Sequence, residues 1–487
     1  MVDKGVESGE KRAEGEAIGS EKAVSVATGK SGGESNDPGK DYEEFTLENG
    51  FRVAYQATPT KTISAKIRIH HGALNELPGQ EGYLHFLEHV LGAGGTAKYT
   101  PLELKDQLGS FGFFNAHPEL TKMTIPADII SGDLETYLDV MSEMLFRPSF
   151  DSAALEEERK RVLREISDHK SDPHYEDWEA FAKAFFGENS PQDYPVIGKE
   201  AVIESATVDG LKHFYGEGFS PNNMDLVLVG GLPSDTKERV QKYFDEFSRG
   251  PSRRMKLPRN PLPQSPKIIH SSAPDLINQA NTLESSAELS MNIYAPTALD
   301  SDYYAFEVLA YVLGEPGLTS RLFKSLSREK GLAYGIGASY DAALSTGTLR
   351  IRGKVDSSKA EQAISAIFEE MQRLQDEEVS VSELAEAKRK VKYQAGKAEE
   401  LNAWRASLIS RDMDGYHNTA EILAGIEKVT AEDVQKAAQK YLPSDLAGNY
   451  ALLLRDPLKD RKGQTIDEWV ASYVKSVSGE PSVSEGI

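Results

Sequence analysis

The feature that most constrains the fold is that the chain repeats itself once. "HVLGAGG" (His89–Gly95) matches "YVLGEPG" (Tyr311–Gly317) at an offset of 222 residues, "LEEERKRV" (Leu155–Val162) matches "LAEAKRKV" (Leu384–Val391) at 229, and "TVDGLKHF" (Thr207–Phe214) matches "TAEDVQKA" (Thr430–Ala437) at 223. Three matches in one order, at nearly constant offset, point to a duplicated unit with a period far too long for a solenoid. Between the copies, residues 249–266, "RGPSRRMKLPRNPLPQSP", hold five prolines and little periodicity, the signature of a linker. Each copy mixes strand and helix patterns. In the first, "FTLENGFRVAYQ" (Phe45–Gln56) alternates around Asn49-Gly50 as a hairpin does, and "TISAKIRIHHGA" (Thr62–Ala73) and "NMDLVLVGG" (Asn223–Gly231) read as strands. Helical periodicity runs through Tyr83–Leu91, Pro101–Phe111, Gly132–Met144, Ser152–Lys170 and Val208–Tyr215. The expectation is an α+β fold of two homologous halves, each an antiparallel-rich sheet packed with helices. The first spans 42–248 and the second 267–475, flanked by a disordered extension (1–41) and a flexible tail (476–487).

Composition narrows the function. Asp and Glu number 77 against 55 Lys and Arg, a formal charge of −22. An acidic surface without a local basic patch repels phosphate backbones, so nucleic acid is not an expected partner. The absence of cysteine excludes disulfides, thiolate metal sites and a cysteine nucleophile; any metal must be held by His, Asp or Glu. No stretch reaches 18 apolar residues and the first residues carry no apolar signal core, so the default expectation is a cytoplasmic protein without a membrane span.

One segment carries chemistry. Residues 85–89 read His-Phe-Leu-Glu-His within an apolar helical stretch. Residues four apart on a helix share a face, so His85 and His89 present two imidazoles one turn apart, suited to two corners of a tetrahedral Zn2+ site. Glu88 lies on the same side, within reach of a water at the metal. The order H-x-x-E-H is an inverted zinc-peptidase signature. A third ligand must come from oxygen or nitrogen. Glu165, on the long charged helix, is the leading candidate, with Glu158 two turns earlier on the same face, but spacing alone does not choose among the glutamates of that stretch. In the second copy Glu307, Ala310 and Tyr311 stand where the first has His85, Glu88 and His89, and Gln394 matches Glu165. The unit repeats and the ligand set does not, which concentrates function in the first half.

On these motifs the chain resembles the pitrilysin/insulin-degrading-enzyme family of inverted-motif zinc peptidases, over about residues 42–458 and in the size range of the branch that holds the mitochondrial processing peptidase subunits and their bacterial relatives. In that family H-x-x-E-H is followed by E-x6-E, whose last Glu binds zinc; here Glu158 and Glu165 match it, Glu165 lying 76 residues after His89. "FFNAHPELT" (Phe113–Thr121) resembles the family's N-A-x-x-x-x-T edge strand, which implies that Asn115 and Ala116 contact peptide backbone. "SRLFKSLSREKGLAYGI" (Ser320–Ile336) resembles the family's S-R-L-F…R-E-K-R-G-L-A-Y segment, which implies substrate-gripping roles for Arg328 and Tyr334. The family Arg stands seven residues before the Tyr, whereas that slot here is Ser327 and Arg328 follows one residue late.

The resemblance implies a zinc endopeptidase: His85, His89 and Glu165 as ligands, Glu158 supporting them, Glu88 as general base, and an extended peptide added as a strand. It also implies a paired assembly, a homodimer or a heterodimer with a related subunit, whose halves close around a chamber. The alternative is a catalytically weak or inactive partner subunit that binds peptides or scaffolds a peptidase, a reading favoured by the displaced Arg328. A zinc amidase acting on a small molecule fits the strand-pairing segment less well.

Overall fold

A computed structural model describes residues 41–172, 175–187, 190–257, 267–272, 286–314, 318–444 and 450–456. The expected disordered extension, apart from Asp41, and the expected flexible tail lie outside the described residues, as do 258–266 of the linker.

The first half opens with the hairpin β1 (Glu43–Thr46) and β2 (Arg52–Ala57), in register Phe45 to Val53, followed by β3 (Thr62–Ile69). Helices α1 (Tyr83–Ala93) and α2 (Pro101–Ser110) precede the short edge pieces β4 (Phe113–Phe114) and β5 (His117–Pro118) and the long β6 (Met123–Ile130). Then come α3 (Leu134–Phe146), α4 (Ser152–Ser171), α5 (Tyr175–Phe186), α6 (Glu200–Ser205), α7 (Val208–Gly218), β7 (Met224–Gly230) and α8 (Thr236–Phe244). The second half runs β8 (Lys267–Ser272), β9 (Ser286–Ala295), α9 (Tyr303–Leu313), a π-helical turn Phe323–Glu329, β10 (Ala333–Ala342), β11 (Gly347–Asp356), α10 (Ala360–Asp376), α11 (Val381–Glu400), α12 (Asn402–Met413), α13 (Thr419–Lys428), α14 (Ala431–Tyr441) and β12 (Tyr450–Asp456). Among the described residues no helix is long and apolar enough to cross a membrane.

The two sheets share one topology. The first is ordered β1-β2-β7-β3-β6-β4, with β5 also on β6; the second is β8-β12-β9-β11-β10. In both, the central strand (β7 or β12) pairs parallel with its half's early strand (β2 or β8) and antiparallel with the next (β3 or β9). This is the structural form of the internal repeat. Helices cover one face of each sheet: Ile63, Ala65, Ile67 and Ile69 of β3 enter the core beneath α1 and α3, and Leu289, Met291 and Ile293 of β9 do the same in the second half.

The opposite faces are covered reciprocally. Helix α12, from the second half, lies on the outer face of the first sheet, where Ala406 and Ile409 meet Val227 and Val229 of β7. Helix α5, from the first half, lies on the second sheet, where Phe181 and Phe185 meet Ala451 and Leu453 of β12. Both central strands are therefore buried on two faces, which is why Leu226–Val229 of β7 and Tyr450–Leu454 of β12 read as continuous apolar runs. Each junction also encloses an arginine. Arg68 makes a two-pronged contact to Asp225 (2.6 and 2.9 Å) and reaches the Ser410 carbonyl and Asp414 at the C-terminal end of α12. Arg455 joins Asp177 at the start of α5 to Glu288 of β9. The start of the Pro-rich segment is tied down on the first half: Ser220 donates to the Pro251 carbonyl and Asn75 to the Arg253 carbonyl.

Burial alone would raise the Asp225 carboxyl, but the Arg68 guanidinium and His70 hold it well below the usual carboxylate range. A carboxyl depressed on folding adds stability that is complete above its unfolded pKa of about 3.9 and is lost as pH falls below it. Arg68→Met strands that carboxylate, and the expected cost is about 3–5 kcal/mol, read by chemical denaturation, with the acid arm of the stability profile flattened. Tyr137 is fully buried on α3 and its hydroxyl has no partner among the described residues. Tyr137→Phe is expected to raise stability by about 1 kcal/mol in the same measurement, because it deletes an unsatisfied polar atom and keeps the ring.

Candidate metal centre

Helix α1 starts at Gly82, whose φ of 101° suits glycine, and ends at Gly94 and Gly95, the latter at φ 74°. Its residues are buried nearly all round, so the histidines sit at a crossing with α4 and not on a solvated face. Helix α4 is capped by Asp151, whose side chain accepts the Ala154 amide, and it buries Leu155, Glu158, Val162 and Ile166 at helical spacing. Glu158 thus occupies an apolar stripe, with Glu165 two turns along on its more open edge. The side chains of His85, His89 and Glu158 are 11, 14 and 8% exposed, and that of Glu165 is 43%.

Three atoms converge. The Nε2 atoms of His85 and His89 are 3.3 Å apart, and each is 3.3 Å from Oε2 of Glu165. The outer nitrogen of each ring is engaged elsewhere. Nδ1 of His85 is 3.0 Å from the Ile197 carbonyl, and Nδ1 of His89 is 3.2 Å from Oε2 of Glu158. A carbonyl and a carboxylate only accept, so both Nδ1 atoms carry the proton and donate, which leaves both Nε2 lone pairs facing Glu165. Burial keeps the His85 pKa below its ordinary value, favouring the neutral ring that can ligate. Zinc–ligand distances of about 2.0–2.1 Å in a tetrahedron put neighbouring donor atoms about 3.3–3.4 Å apart. The spacing of the three atoms fits such an ion, and they are the one group of three or more potential His or carboxylate ligands among the described residues.

Glu88 lies beside this group, its carboxylate 3.7 Å from Nε2 of His89. Burial pushes its carboxyl up to about 7, opposed by His89 and reinforced by Glu165 and Glu158. Among its described residues the second half has no counterpart: Ala310 is buried in its apolar core, with Tyr311 packed at the margin.

The other candidate residues are not among the converging atoms. Asn115 is exposed at the sheet edge, where its amide donates to the Pro126 carbonyl at 3.2 Å, and Ala116 is half-buried against the core; no strand pairs outside this edge among the described residues. Arg328 is exposed on the π-helical turn and Tyr334 is 61% exposed at the start of β10, the edge strand of the second sheet. The turn carries an i to i−5 bond from the Lys330 amide to the Ser325 carbonyl (3.0 Å). A π-turn takes up one more residue than an α-turn, which gives a backbone reason for an arginine placed one position late.

Two participants left no motif. The Ile197 carbonyl is a backbone atom from a distant loop. Glu76 accepts the Gly82 and Leu84 amides at 2.9 and 2.8 Å at the start of α1, and burial pushes its carboxyl up to about 7. Its signal was indirect: a helix whose cap position is glycine has no side chain of its own to satisfy those amides.

The chain is similar to known proteins over most of its length. Residues 52–190 match the family model described as insulinase (peptidase family M16), and residues 205–391 match the model described as peptidase M16 inactive domain. The chain is 25% identical over 422 residues to the uncharacterized zinc protease YmxG of Bacillus subtilis, covering 85% of this chain and 98% of that one. It is 24% identical to the uncharacterized zinc protease SCO5738 of Streptomyces coelicolor, covering 88% and 92%. Among solved structures, a protease from Helicobacter pylori superposes with a TM-score of 0.70 at 19% identity, covering 85% of this chain and 99% of that one. A peptidase M16 inactive domain from Pseudomonas fluorescens superposes at 0.73 and 17%, covering 87% and 100%. With both family models in chain order across two halves of matching fold, the chain belongs to peptidase family M16.

Proposed function

We propose that this chain is a zinc-dependent endopeptidase whose ligands are His85, His89 and Glu165. The observation that carries the reading is the convergence of three lone-pair atoms at 3.3 Å while both imidazole Nδ1–H groups are engaged elsewhere. The relatives named as zinc proteases support it. A zinc ion held there supplies a Lewis acid that polarises a scissile carbonyl and makes water more acidic.

The remaining work falls to the protein. Glu88, with a carboxyl poised near neutrality, takes the proton of the attacking water and returns it to the leaving amine. Glu158 and the Ile197 carbonyl hold the two rings in the ligating tautomer. The open edge at Asn115 and Ala116 receives an extended peptide as an added strand, so backbone hydrogen bonds supply most of the binding and sequence selectivity is modest. Arg328 and Tyr334 are the candidates for gripping substrate and its developing oxyanion from the second half, and pairing of two chains as a dimer brings such a half to the metal. A cytoplasmic location belongs to the same proposal. The second reading, a partner subunit without turnover, is favoured by Ser327 standing where the family has its Arg.

Glu88→Gln is expected to lose about 10²–10⁴-fold in kcat/KM on a quenched peptide while still taking up zinc; unchanged cleavage by that variant refutes the base assignment. Glu158→Gln is expected to weaken zinc binding about 10–100-fold in a chelator competition, because a neutral amide oxygen replaces the anionic acceptor on His89. Chelation is expected to abolish cleavage by the unmodified chain and zinc to restore it; a chain that takes up zinc and cleaves nothing speaks for the partner-subunit reading.

A further inference from the structure

The N-terminal turn of α1 is held from outside the helix. Glu76, 8% exposed, accepts the Gly82 amide on Oε2 and the Leu84 amide on Oε1, and Tyr194 donates its hydroxyl to the same Oε2 at 2.9 Å. The segment that carries Tyr194 returns to this turn repeatedly. The Ile197 carbonyl receives Nδ1–H of His85 at 3.0 Å, and the Lys199 amide donates to the Glu81 carbonyl at 3.1 Å. Lys199 also pairs with the Glu81 carboxylate at 3.0 Å. Gly198 and Gly82 meet backbone to backbone: a Cβ on Gly198 falls 2.6 Å from Cα of Gly82, and φ at Gly198 is +95°. One carboxylate therefore joins the first turn of the motif helix to the strap that presents a carbonyl to its first histidine.

We propose that Glu76 and the strap Tyr194–Lys199 form a clasp that fixes the rotation and tautomer of His85, and through it the retention of the metal. The inference rests on the ligand assignment above and extends it to residues outside the motif. Glu76 is a positioning residue: it touches neither the three converging atoms nor Glu88. The carboxylate is needed as such, because its two oxygens accept from backbone amides on different residues. In Glu76→Gln the amide NH2 must face one of those donors. Tyr194→Phe removes only the tie between Glu76 and the strap. Gly198→Ala forces the strap off the helix, by contact with Gly82 and by its backbone angle.

The test measures zinc release to a chelator and the visible spectrum of the cobalt-substituted protein for the unmodified chain, these three variants and Arg68→Met. Release is expected to quicken about 10-fold or more in Glu76→Gln and Gly198→Ala and less in Tyr194→Phe, with altered cobalt bands. Arg68→Met, which loses stability through Asp225, Ser410 and Asp414 and not through Glu76 or the strap, is expected to keep the parental rate and spectrum. Should Glu76→Gln not fold, Tyr194→Phe carries the test. In metal-free protein labelled at histidine, nitrogen NMR is expected to report Nδ1–H for His85 in the parent and a mixed tautomer in Gly198→Ala. Parental release rates, spectra and tautomer in all three variants overturn the clasp. A parent that binds no zinc overturns the metal reading instead, and the tautomer measurement then decides the clasp by itself.

Discussion

Two imidazole nitrogens and a carboxylate oxygen, each 3.3 Å from the other two, repel one another unless positive charge lies between them. The rings cannot escape by exchanging tautomers, because the Ile197 carbonyl and the Glu158 carboxylate each require a proton on Nδ1. Such an arrangement is costly in a site that is largely buried, and the fold tolerates it by fixing the three donors from separate directions: α1 from its capped N-terminus, α4 through its apolar stripe, and the loop before α6 through a backbone carbonyl. What makes the site unfavourable without a cation is what makes it selective for one. The same logic accounts for Glu88. The burial that favours neutral imidazole also disfavours a carboxylate beside it, leaving that carboxyl near 7, the range in which a base can both accept and release a proton at neutral pH.

The halves are coupled by exchange. Each sheet has one face covered by its own helices and the other by a helix of the opposite half, α12 on the first and α5 on the second. Arg68 and Arg455 lie at these junctions, each bound to acidic residues of both halves. A buried guanidinium that loses its partners is far more costly than a lost surface pair, so separating the halves exposes apolar strand faces and strands charge together. Helix α5 follows α4 after a short connection. The element that carries Glu158 and Glu165 is thus anchored at its far end on the second sheet, which links the geometry of the third donor to the seating of the second half.

Much of this was legible in the sequence, and the division follows the range of the interactions. The internal repeat predicted two halves of one topology, and alternation around Asn49-Gly50 placed the first hairpin within two residues of β1 and β2. His85, Glu88 and His89 declared themselves because four-residue spacing in an apolar helix is a local signal. The choice of Glu165 was not local. Four glutamates lie in that stretch of α4, and which of them meets α1 depends on the crossing of two helices 76 residues apart in sequence. Glu158 could be singled out only by its place two turns before Glu165 on the same face and by the E-x6-E resemblance. Reciprocal coverage left a trace in the apolar runs Leu226–Val229 of β7 and Tyr450–Leu454 of β12, but periodicity cannot say which helix covers a face. The Ile197 carbonyl left none, because every residue has one.

The second half supplies an internal comparison for the way α1 is held. Its counterpart, α9, opens with Asp302 at the cap position, yet that carboxylate accepts from Lys440 and Tyr441 of α14 and caps no amide of its own helix. No remote glutamate comparable to Glu76 is seen there among the described residues. Where the repeat carries Glu307, Ala310 and Tyr311 in place of the proposed ligands and base, the helix packs as ordinary core, with Phe306, Leu309 and Ala310 buried, and its rotation about its own axis need satisfy only apolar contacts. Apolar packing is non-directional and accepts small rotations; ligation by two imidazoles and a carboxylate does not. A helix with this fold's packing alone can therefore be seated without a buried external carboxylate. Burying Glu76 costs desolvation energy, and in one of two otherwise similar halves that cost is borne only by the helix whose side chains must meet a third element to within a few tenths of an ångström.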